Sequence, residues 1–404
     1  MEDNTRKTRK YQLIKKAYTK GALHGALAMF LVIVILMGCL MAAGKISIFT
    51  KAIDTKTSKK TQEIEGIIEK NFLYADDVEK KDNRDFSIKG YVAGLGDPYS
   101  AYYNEEETKE LFESTEGKYA GIGALMSQNP QTGEIRVEEV YENSPAEKAG
   151  MQAGDIFQKV DGNSVNDKEL SDVVTDVKGE EGTVVTITVL RGTEEKDLKV
   201  TRKIVEAPTV KTKMLDGNIG YLQITEFDTV TYKQFKAGMD ELEKQGMKGL
   251  VVDLRDNPGG NYDTVCQILD LLLPKGTIVY TEDKDGKRID IKKSDEEHKF
   301  TKPLAVLVNE NSASASEIFA GAIQDHKAGS IIGTKTFGKG IVQSLYQLSD
   351  GTCLKITTAQ YFTPEGRNIH KKGIEPDITV KNEENSGQDK QLEKASEVVK
   401  NEMK

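Results

Sequence analysis

The chain of 404 residues, at ~150 per domain, has room for two or three domains, and with 37% hydrophobic and 30% charged residues most of it should be soluble and globular. A net charge of −9 argues against a nucleic-acid partner, which would call for a basic surface. Three scattered cysteines and four histidines, with no HExxH pattern and no clustered pair, offer neither a disulfide scaffold nor a metal centre, and no cofactor is implied.

Residues 1–21 are basic, with Arg6, Lys7, Arg9, Lys10, Lys15, Lys16 and Lys20 against Glu2 and Asp3. Residues 22–44, Ala22 to Gly44, are apolar except for His24, longer than the ~20 residues a helix needs to cross a bilayer. Cations ahead of such a span favour the cytoplasmic side. The expectation is a single-pass membrane anchor with the rest of the chain outside the cytoplasm, although Lys45, Lys51, Lys56, Lys59 and Lys60 weaken the asymmetry. A cleaved signal ending near Met41–Gly44 is the competing reading. Leu36–Cys39 is close to a lipoprotein box, with Met37 out of place.

Residues 45–115 carry apolar positions at helical spacing, Ile64, Ile67, Ile68 and Phe72 among them, and should be helical. From 117 to about 195 the chain becomes β-rich, with Ile135–Val137 and Thr183–Leu190 as β-branched runs and a helix over Leu170–Val177. Between 200 and 382, strands over Ile219–Ile224, Leu250–Leu254, Leu304–Val308 and Ser330–Gly333 alternate with amphipathic helices. Phe235/Met239/Leu242 and Val265/Ile268/Leu269/Leu272 mark those helices, and the pattern is α/β. Residues 383–404 turn polar and read as a loose tail or surface helix.

Tyr119-Ala120-Gly121-Ile122-Gly123-Ala124 sets glycines where backbone N–H groups can converge. A helix start at Ser144-Pro145-Ala146, turns at Gly150 and Gly154, and the helix at 170–177 follow in order. The set over 117–195 resembles a PDZ domain of the kind found in bacterial proteases. The resemblance implies that an extended peptide adds to a sheet edge. Its carboxylate would lie at Gly121, Ile122 and Gly123, and Val173 and Val174 would line the side-chain pocket. A glycine loop serving only a tight turn is the plainer alternative.

Three further segments sit at strand ends. Asn309-Glu310-Asn311-Ser312-Ala313-Ser314-Ala315-Ser316-Glu317 follows an apolar strand and opens a helix, where a serine hydroxyl can stand among N–H groups. Ser314-x-x-Glu317 is equally a capping box. Gly333–Lys339 fits G-x-x-x-x-G-K, but Gly340 stands where a phosphate loop needs Ser or Thr, and a strand pattern follows, so nucleotide binding is rejected. Asp253-Leu254-Arg255-Asp256-Asn257-Pro258-Gly259-Gly260 can present bare N–H groups to an anion, or simply turn.

Together with Gly96-Asp97-Pro98-Tyr99-Ser100-Ala101-Tyr102-Tyr103, these motifs resemble, in order, the carboxyl-terminal processing proteases, the tail-specific serine peptidases of family S41. The resemblance covers roughly residues 60–380. It implies a mixed α/β chain with an N-terminal transmembrane helix, a helical segment, a PDZ domain and a crotonase/ClpP-like catalytic core. Ser314 would be the nucleophile, Lys339 the general base and Gln343 its orienter. The Ala315 N–H and a glycine of the Gly259–Gly260 pair would form the oxyanion hole. Substrates would be proteins or peptides with free C termini, and the helices of 60–115 would suit homodimerisation. Phe337 is expected to help shield Lys339, because burial disfavours an ammonium and lowers its pKa. The rivals are a catalytically silent PDZ scaffold and a trypsin-like PDZ protease; the latter needs the reverse domain order and a His-Asp-Ser set.

Overall fold

The computed structural model describes residues 55–72, 80–295, 297, 300–383 and 387–403. The apolar span at 22–44 lies outside these; among the described residues no helix is long and apolar enough to cross a membrane. The chain divides into two compact units, 1–83 and 84–404. In the first, α1 (Thr55–Asn71) carries Ile64, Ile67 and Ile68 on one face, 49%, 56% and 37% exposed among the described residues. Helix α2 spans Lys80–Ala93.

The second unit begins with a departure from the all-helical expectation for 45–115. Ala101–Tyr103 forms a strand, β1, ahead of helix α3 (Glu105–Glu116). The reason is pairing: β1 runs antiparallel to a later strand at Cys353–Lys355, with Tyr102 buried between pleats. Asn104 and Glu107 close a reciprocal capping box on α3, each bond 2.9 Å, and Gly117 ends the helix at φ +67°.

A β-sandwich-like module follows. Strands β2 (Lys118–Gly121), β3 (Ala124–Gln128), β4 (Ile135–Val140), β5 (Ile156–Val160) and β6 (Asn163–Ser164) precede β7 (Val184–Arg191), β8 (Glu194–Thr201) and β9 (Lys203–Glu206). The sheet order is β3-β4-β5-β7-β8, with β6 on β5, and β2 pairs separately with β9. Helices α4 (Pro145–Lys148) and α5 (Leu170–Val177) complete it. Phe157, Val173, Val185, Ile187 and Val189 are fully buried in its core. Strand β3 is an edge.

The remaining chain builds a six-stranded sheet in the order β10-β11-β12-β15-β16-β19, from β10 (Val210–Leu215), β11 (Ile219–Ile224), β12 (Gly249–Asp253), β15 (Leu304–Val308), β16 (Ser330–Gly333) and β19 (Ile378–Thr379). All but the β10–β11 pair are parallel. Period-two alternation divides the strands between two cores. Leu250, Val252 and Val306 join helices α6 (Thr231–Lys244), α7 (Tyr262–Asp270) and α8 (Ala315–Asp325) on one face. Val251, Ala305 and Leu307 face the other way, into a cluster with Ala395 and Val399. Covering on both faces is why these strands read as continuous apolar runs. A second, antiparallel sheet has the order β1-β18-β13-β14 with β17 on β18, from β13 (Gly276–Glu282), β14 (Arg288–Ser294), β17 (Ile341–Gln347) and β18 (Cys353–Phe362).

The C-terminal segment is not a loose tail. Lys390–Glu402 forms helix α9, whose Ala395 and Val399 are fully buried against the sheet. Asp389 caps it and is held bidentately by Arg255 at 2.8 Å per bond. Gly249 makes room, since a Cβ there would run into Val399. Cys266 and Cys353 are both buried free thiols.

Candidate active site

Loops leave the carboxyl ends of β12, β15 and β16 side by side, where open parallel sheets bind their ligands. The loop after β12 is stitched to the one after β15. Ser312 Oγ donates to Leu254 O at 2.8 Å, Ser316 Oγ donates to Asn257 O at 3.0 Å, and the Ala313 N–H donates to the same carbonyl at 3.0 Å. Both of these serines are fully buried. Of the three serines in Ser312-Ala313-Ser314-Ala315-Ser316, this leaves Ser314 as the one opening on a cleft of about 500 Å³.

Ser314 sits at φ +55°, a conformation costly for a residue with a side chain, at the turn into α8. It makes no side-chain cap hydrogen bond, because the Glu317 N–H is directed to the Ser314 carbonyl at 2.9 Å. The reciprocal half of the capping box is formed: the Ser314 N–H donates to Glu317 Oε2 at 2.9 Å.

Glu317 does more than cap. It is fully buried, and its carboxylate accepts four bonds. Oε1 takes Thr336 Oγ1 at 2.6 Å and the Gly338 N–H at 2.7 Å; Oε2 takes the Ser314 N–H and, at 2.8 Å, the Lys339 N–H. One side chain thus fastens the serine turn to the lysine loop with every lone-pair direction used. Tyr361, fully buried on β18, adds a second clasp: its hydroxyl faces Ser314 O at 2.9 Å and Lys339 O as well. Sequence reasoning read Glu317 only as a capping residue and did not find Tyr361, which stands in no motif.

Ser314, Ala315, Gly259, Gly260, Lys339 and Gln343 all line the one cleft. The glycine pair is required by space. A Cβ on Gly259, at φ +108°, would lie 2.8 Å from Ser314 Cβ and 2.9 Å from Ala315 N; one on Gly260 would strike the Phe227 carbonyl. The Gly259 N–H donates to Asn257 Oδ1 at 2.8 Å. Among the described residues no hydrogen bond engages the N–H of Gly260 or of Ala315, so these two are the donors open to an anion at the head of α8.

Lys339 is half-buried, and its pKa is lowered, first by burial and then by the charge of Lys355 on the cleft wall; Glu317 and Asp97 act in the opposite sense. Phe337 does not supply the cover expected of it, since it is 57% exposed. The aromatic beneath it is Tyr99, with Nζ 4.8 Å from the ring centroid. Lys339 and Ser314 share the cleft without a direct hydrogen bond, a looseness common in sites without substrate. Gln343 donates to Thr357 Oγ1 at 3.3 Å, and that hydroxyl donates to Asp97 Oδ2 at 2.7 Å. The segment Gly96–Tyr103 therefore buttresses the lysine from below.

Of the described histidines, neither His326 nor His370 lines the cleft. His326 joins Thr277 O at 2.7 Å, and His370 Nδ1 is buried without a partner among the described residues. Asp325 holds Arg367 and the Glu365 N–H. The Gly333–Lys339 loop opens strand β17, not a helix.

In the upstream module, a groove of about 350 Å³ runs between β3 and α5. Gly121, Ile122 and Val174 line it, while Val173 is fully buried in the core, so the structure divides the valine pair. Gly123 stands at φ +78°, where a Cβ would lie 2.6 Å from Ser144 Cβ. No hydrogen bond engages the N–H of Ile122 or Gly123 among the described residues.

The peptidase family S41 model matches residues 218–380 and a PDZ domain model residues 136–191. A protein of Staphylococcus haemolyticus (strain JCSC1435) described as "Probable CtpA-like serine protease" is 39% identical over 354 residues, 86% of this chain and 71% of that one. A likewise described protein of Staphylococcus epidermidis (strain ATCC 35984) is 40% identical over 296 residues, 73% of this chain and 60% of that one. An S41 protease of Bacteroides fragilis NCTC 9343 shares the fold, at TM-score 0.50 and 15% identity over 84% of this chain and 97% of that one. By its sequence relatives, the chain belongs to peptidase family S41, the serine peptidases, and carries a PDZ domain within it.

Proposed function

We propose that the chain is a membrane-anchored endopeptidase, facing away from the cytoplasm, that captures proteins by a free carboxyl terminus and cuts them with Ser314 and Lys339. The observation that carries this reading is the single cleft shared by the one unburied serine of its motif, a lysine of lowered pKa, and two free N–H groups. Lys339 as the neutral amine takes the proton of Ser314 Oγ as the Oγ–C bond to the scissile carbonyl forms. Negative charge then developing on the carbonyl oxygen meets the N–H groups of Ala315 and Gly260. As the C–N bond breaks, Lys339 returns the proton to the departing amine. Water next attacks the acyl-enzyme, Lys339 takes its proton, and Ser314 Oγ recovers one on leaving. Gln343, uncharged, steers the amine without stabilising its cation.

The C terminus of the substrate would add along the edge strand β3 with its carboxylate at Ile122 and Gly123. The N-terminal apolar segment would hold the protein at the membrane, and the exposed stripe on α1 would pair two copies.

The test is cleavage of one peptide with a free and with an amidated C terminus by the wild type, Ser314→Ala and Lys339→Ala. Both variants are expected to lose turnover, and amidation to weaken binding. Full activity in Lys339→Ala would end the mechanism; indifference to amidation would end the capture idea. Sedimentation of the full chain and of Ile64→Glu/Ile68→Glu tests the pairing.

A further inference from the structure

The catalytic cleft and the PDZ groove are contiguous, and three residues line both: Ser114, Glu226 and Asp228. A peptide whose terminus lay in the groove while its scissile bond lay at Ser314 would pass these residues. The segment bearing the two acids is fastened to the oxyanion loop. The Phe227 N–H donates to Gly259 O at 2.8 Å, the Asn261 N–H donates to Phe227 O, and Phe227 bridges Gly260 as a parallel strand would. The Thr229 N–H reaches Thr115 O at 3.2 Å at the end of α3.

Asp228 is only 6% exposed, and its carboxyl, which takes no hydrogen bond from the protein among the described residues, opens on the cleft and the groove. Its Oδ2 lies 3.0 Å from where a Gly117 Cβ would stand, on the wall of the groove. Burial is the main cause that pushes its pKa up to about 7, and the neighbouring Glu226, itself raised by burial, adds to it. A nearly buried carboxyl that faces a peptide-sized passage with no protein donor is placed to take one from a ligand; a cation arriving there would bind it and ionise it. Glu110 and Glu113 of α3 border the same groove, against Lys178, which is held by Glu113 at 3.6 Å. Lys339, Lys355 and Asp263 also line the cleft.

We propose that Glu226 and Asp228 form a subsite for a basic side chain of the substrate, located between its captured C terminus and its scissile bond. The inference rests on the peptidase and capture reading above and adds a substrate preference to it. A lysine ammonium or arginine guanidinium would enter between the two carboxyls as the peptide crosses from groove to cleft. A glutamate at that position would meet repulsion.

The probe is a peptide series with a free apolar C terminus in which one lysine is moved through otherwise neutral positions, each peptide paired with its norleucine counterpart. At the best position the wild type at pH 8 is expected to cleave the lysine peptide with kcat/KM on the order of tenfold above norleucine, charge-assisted hydrogen bonds being worth that much or more. The ratio should fall towards one in Asp228→Asn and in Glu226→Gln/Asp228→Asn, and in the wild type as pH drops from 8 to 5.5 and Asp228 takes up its proton. A ratio of one at every position, or a lysine preference undiminished in the variants and at low pH, would overturn the subsite. If no peptide is cut, the peptidase reading has failed instead. Calorimetric binding of the same pairs to full-length Ser314→Ala then reads the lysine preference without turnover, and equal binding of lysine and norleucine peptides overturns it.

Discussion

Glu317→Gln changes one oxygen and one charge and leaves shape intact. The carboxylate accepts two donors on each oxygen. A glutamine amide turned either way presents an NH2 group to two of them. If the oxygen stays with Thr336 and Gly338, the backbone N–H groups of Ser314 and Lys339 lose their acceptor. At about 1–3 kcal/mol for each buried polar group left unpaired, the cost is about 2–6 kcal/mol, a large part of a typical stability of about 5–15 kcal/mol. Melting should fall by roughly 2–4 °C for each kcal/mol, and on the proposed mechanism turnover on the order of 100-fold as the Ser314 turn and the Lys339 loop lose their common anchor. The pH profile separates this from general damage. The Glu317 charge opposes the lowering of the Lys339 pKa, so its removal lets the amine lose its proton at lower pH. The acidic limb of kcat/KM should therefore move to lower pH while the plateau falls. Calorimetric melting and a kcat/KM–pH series on one peptide measure both. Unchanged melting with an unmoved limb would refute the role given to Glu317.

Lys355→Gln removes the charge that helps hold the Lys339 pKa down; the acidic limb of kcat/KM should move to higher pH, the reverse of Glu317→Gln, in the same pH series. Gly259→Ala places a methyl 2.7 Å from Ala313 O and 2.8 Å from Ser314 Cβ at φ +108°, and kcat should fall on the order of 100-fold or more as the serine and oxyanion donors are displaced, with circular dichroism unchanged. Removing residues 384–404 uncovers Val251, Leu307 and Ile332 and discards the buried Val399. The loss should be at least about 3 kcal/mol, at about 1.5–3 kcal/mol per large buried apolar side chain, read by urea unfolding.

Strand and helix positions in the catalytic unit were legible because its sheet is buried on both faces: Leu304–Val308 and Ile219–Ile224 stand where their apolar runs lie. Helix Leu170–Val177 was legible for the opposite reason, a single buried face. Strand Ala101–Tyr103 was not, since three residues following a helical stretch become a strand only through a partner some 250 positions later. Helix α9 hid its character because a helix with only Ala395, Val399 and a few neighbours inward looks polar in composition. At the site, motif order pointed to residues that line one cleft, Ser314, Ala315, Gly259, Gly260, Lys339 and Gln343, but Tyr361 acts through a hydroxyl on an apolar strand with no local signature. Phe337 misled because adjacency in sequence does not fix side-chain direction: its N–H donates to Ser312 O at 3.1 Å while its ring turns to solvent.

The protonation of Lys339 is decided by opposing influences of similar reach. Tyr99 beneath the ammonium favours the cation by about 0.5–2 kcal/mol, and Glu317 and Asp97 pull the same way. Both carboxylates, however, already point their charge at other donors. Glu317 faces four, and Asp97 takes Ser100 Oγ at 2.6 Å, Thr357 Oγ1 and the Tyr99 N–H. Neither makes a hydrogen bond to Nζ among the described residues, so their attraction acts through space, as the opposing Lys355 charge does, and loss of water is the largest influence on the amine. The balance therefore falls to the neutral side only as far as the cleft excludes water. A histidine base, with an ordinary pKa near ~6.5, would work in an open site; a lysine with an ordinary pKa of ~10.4 needs closure to work at all. On the mechanism proposed above, substrate lying along the cleft would supply that closure, so Lys339 would be strongest as a base when a peptide is in place to be cut.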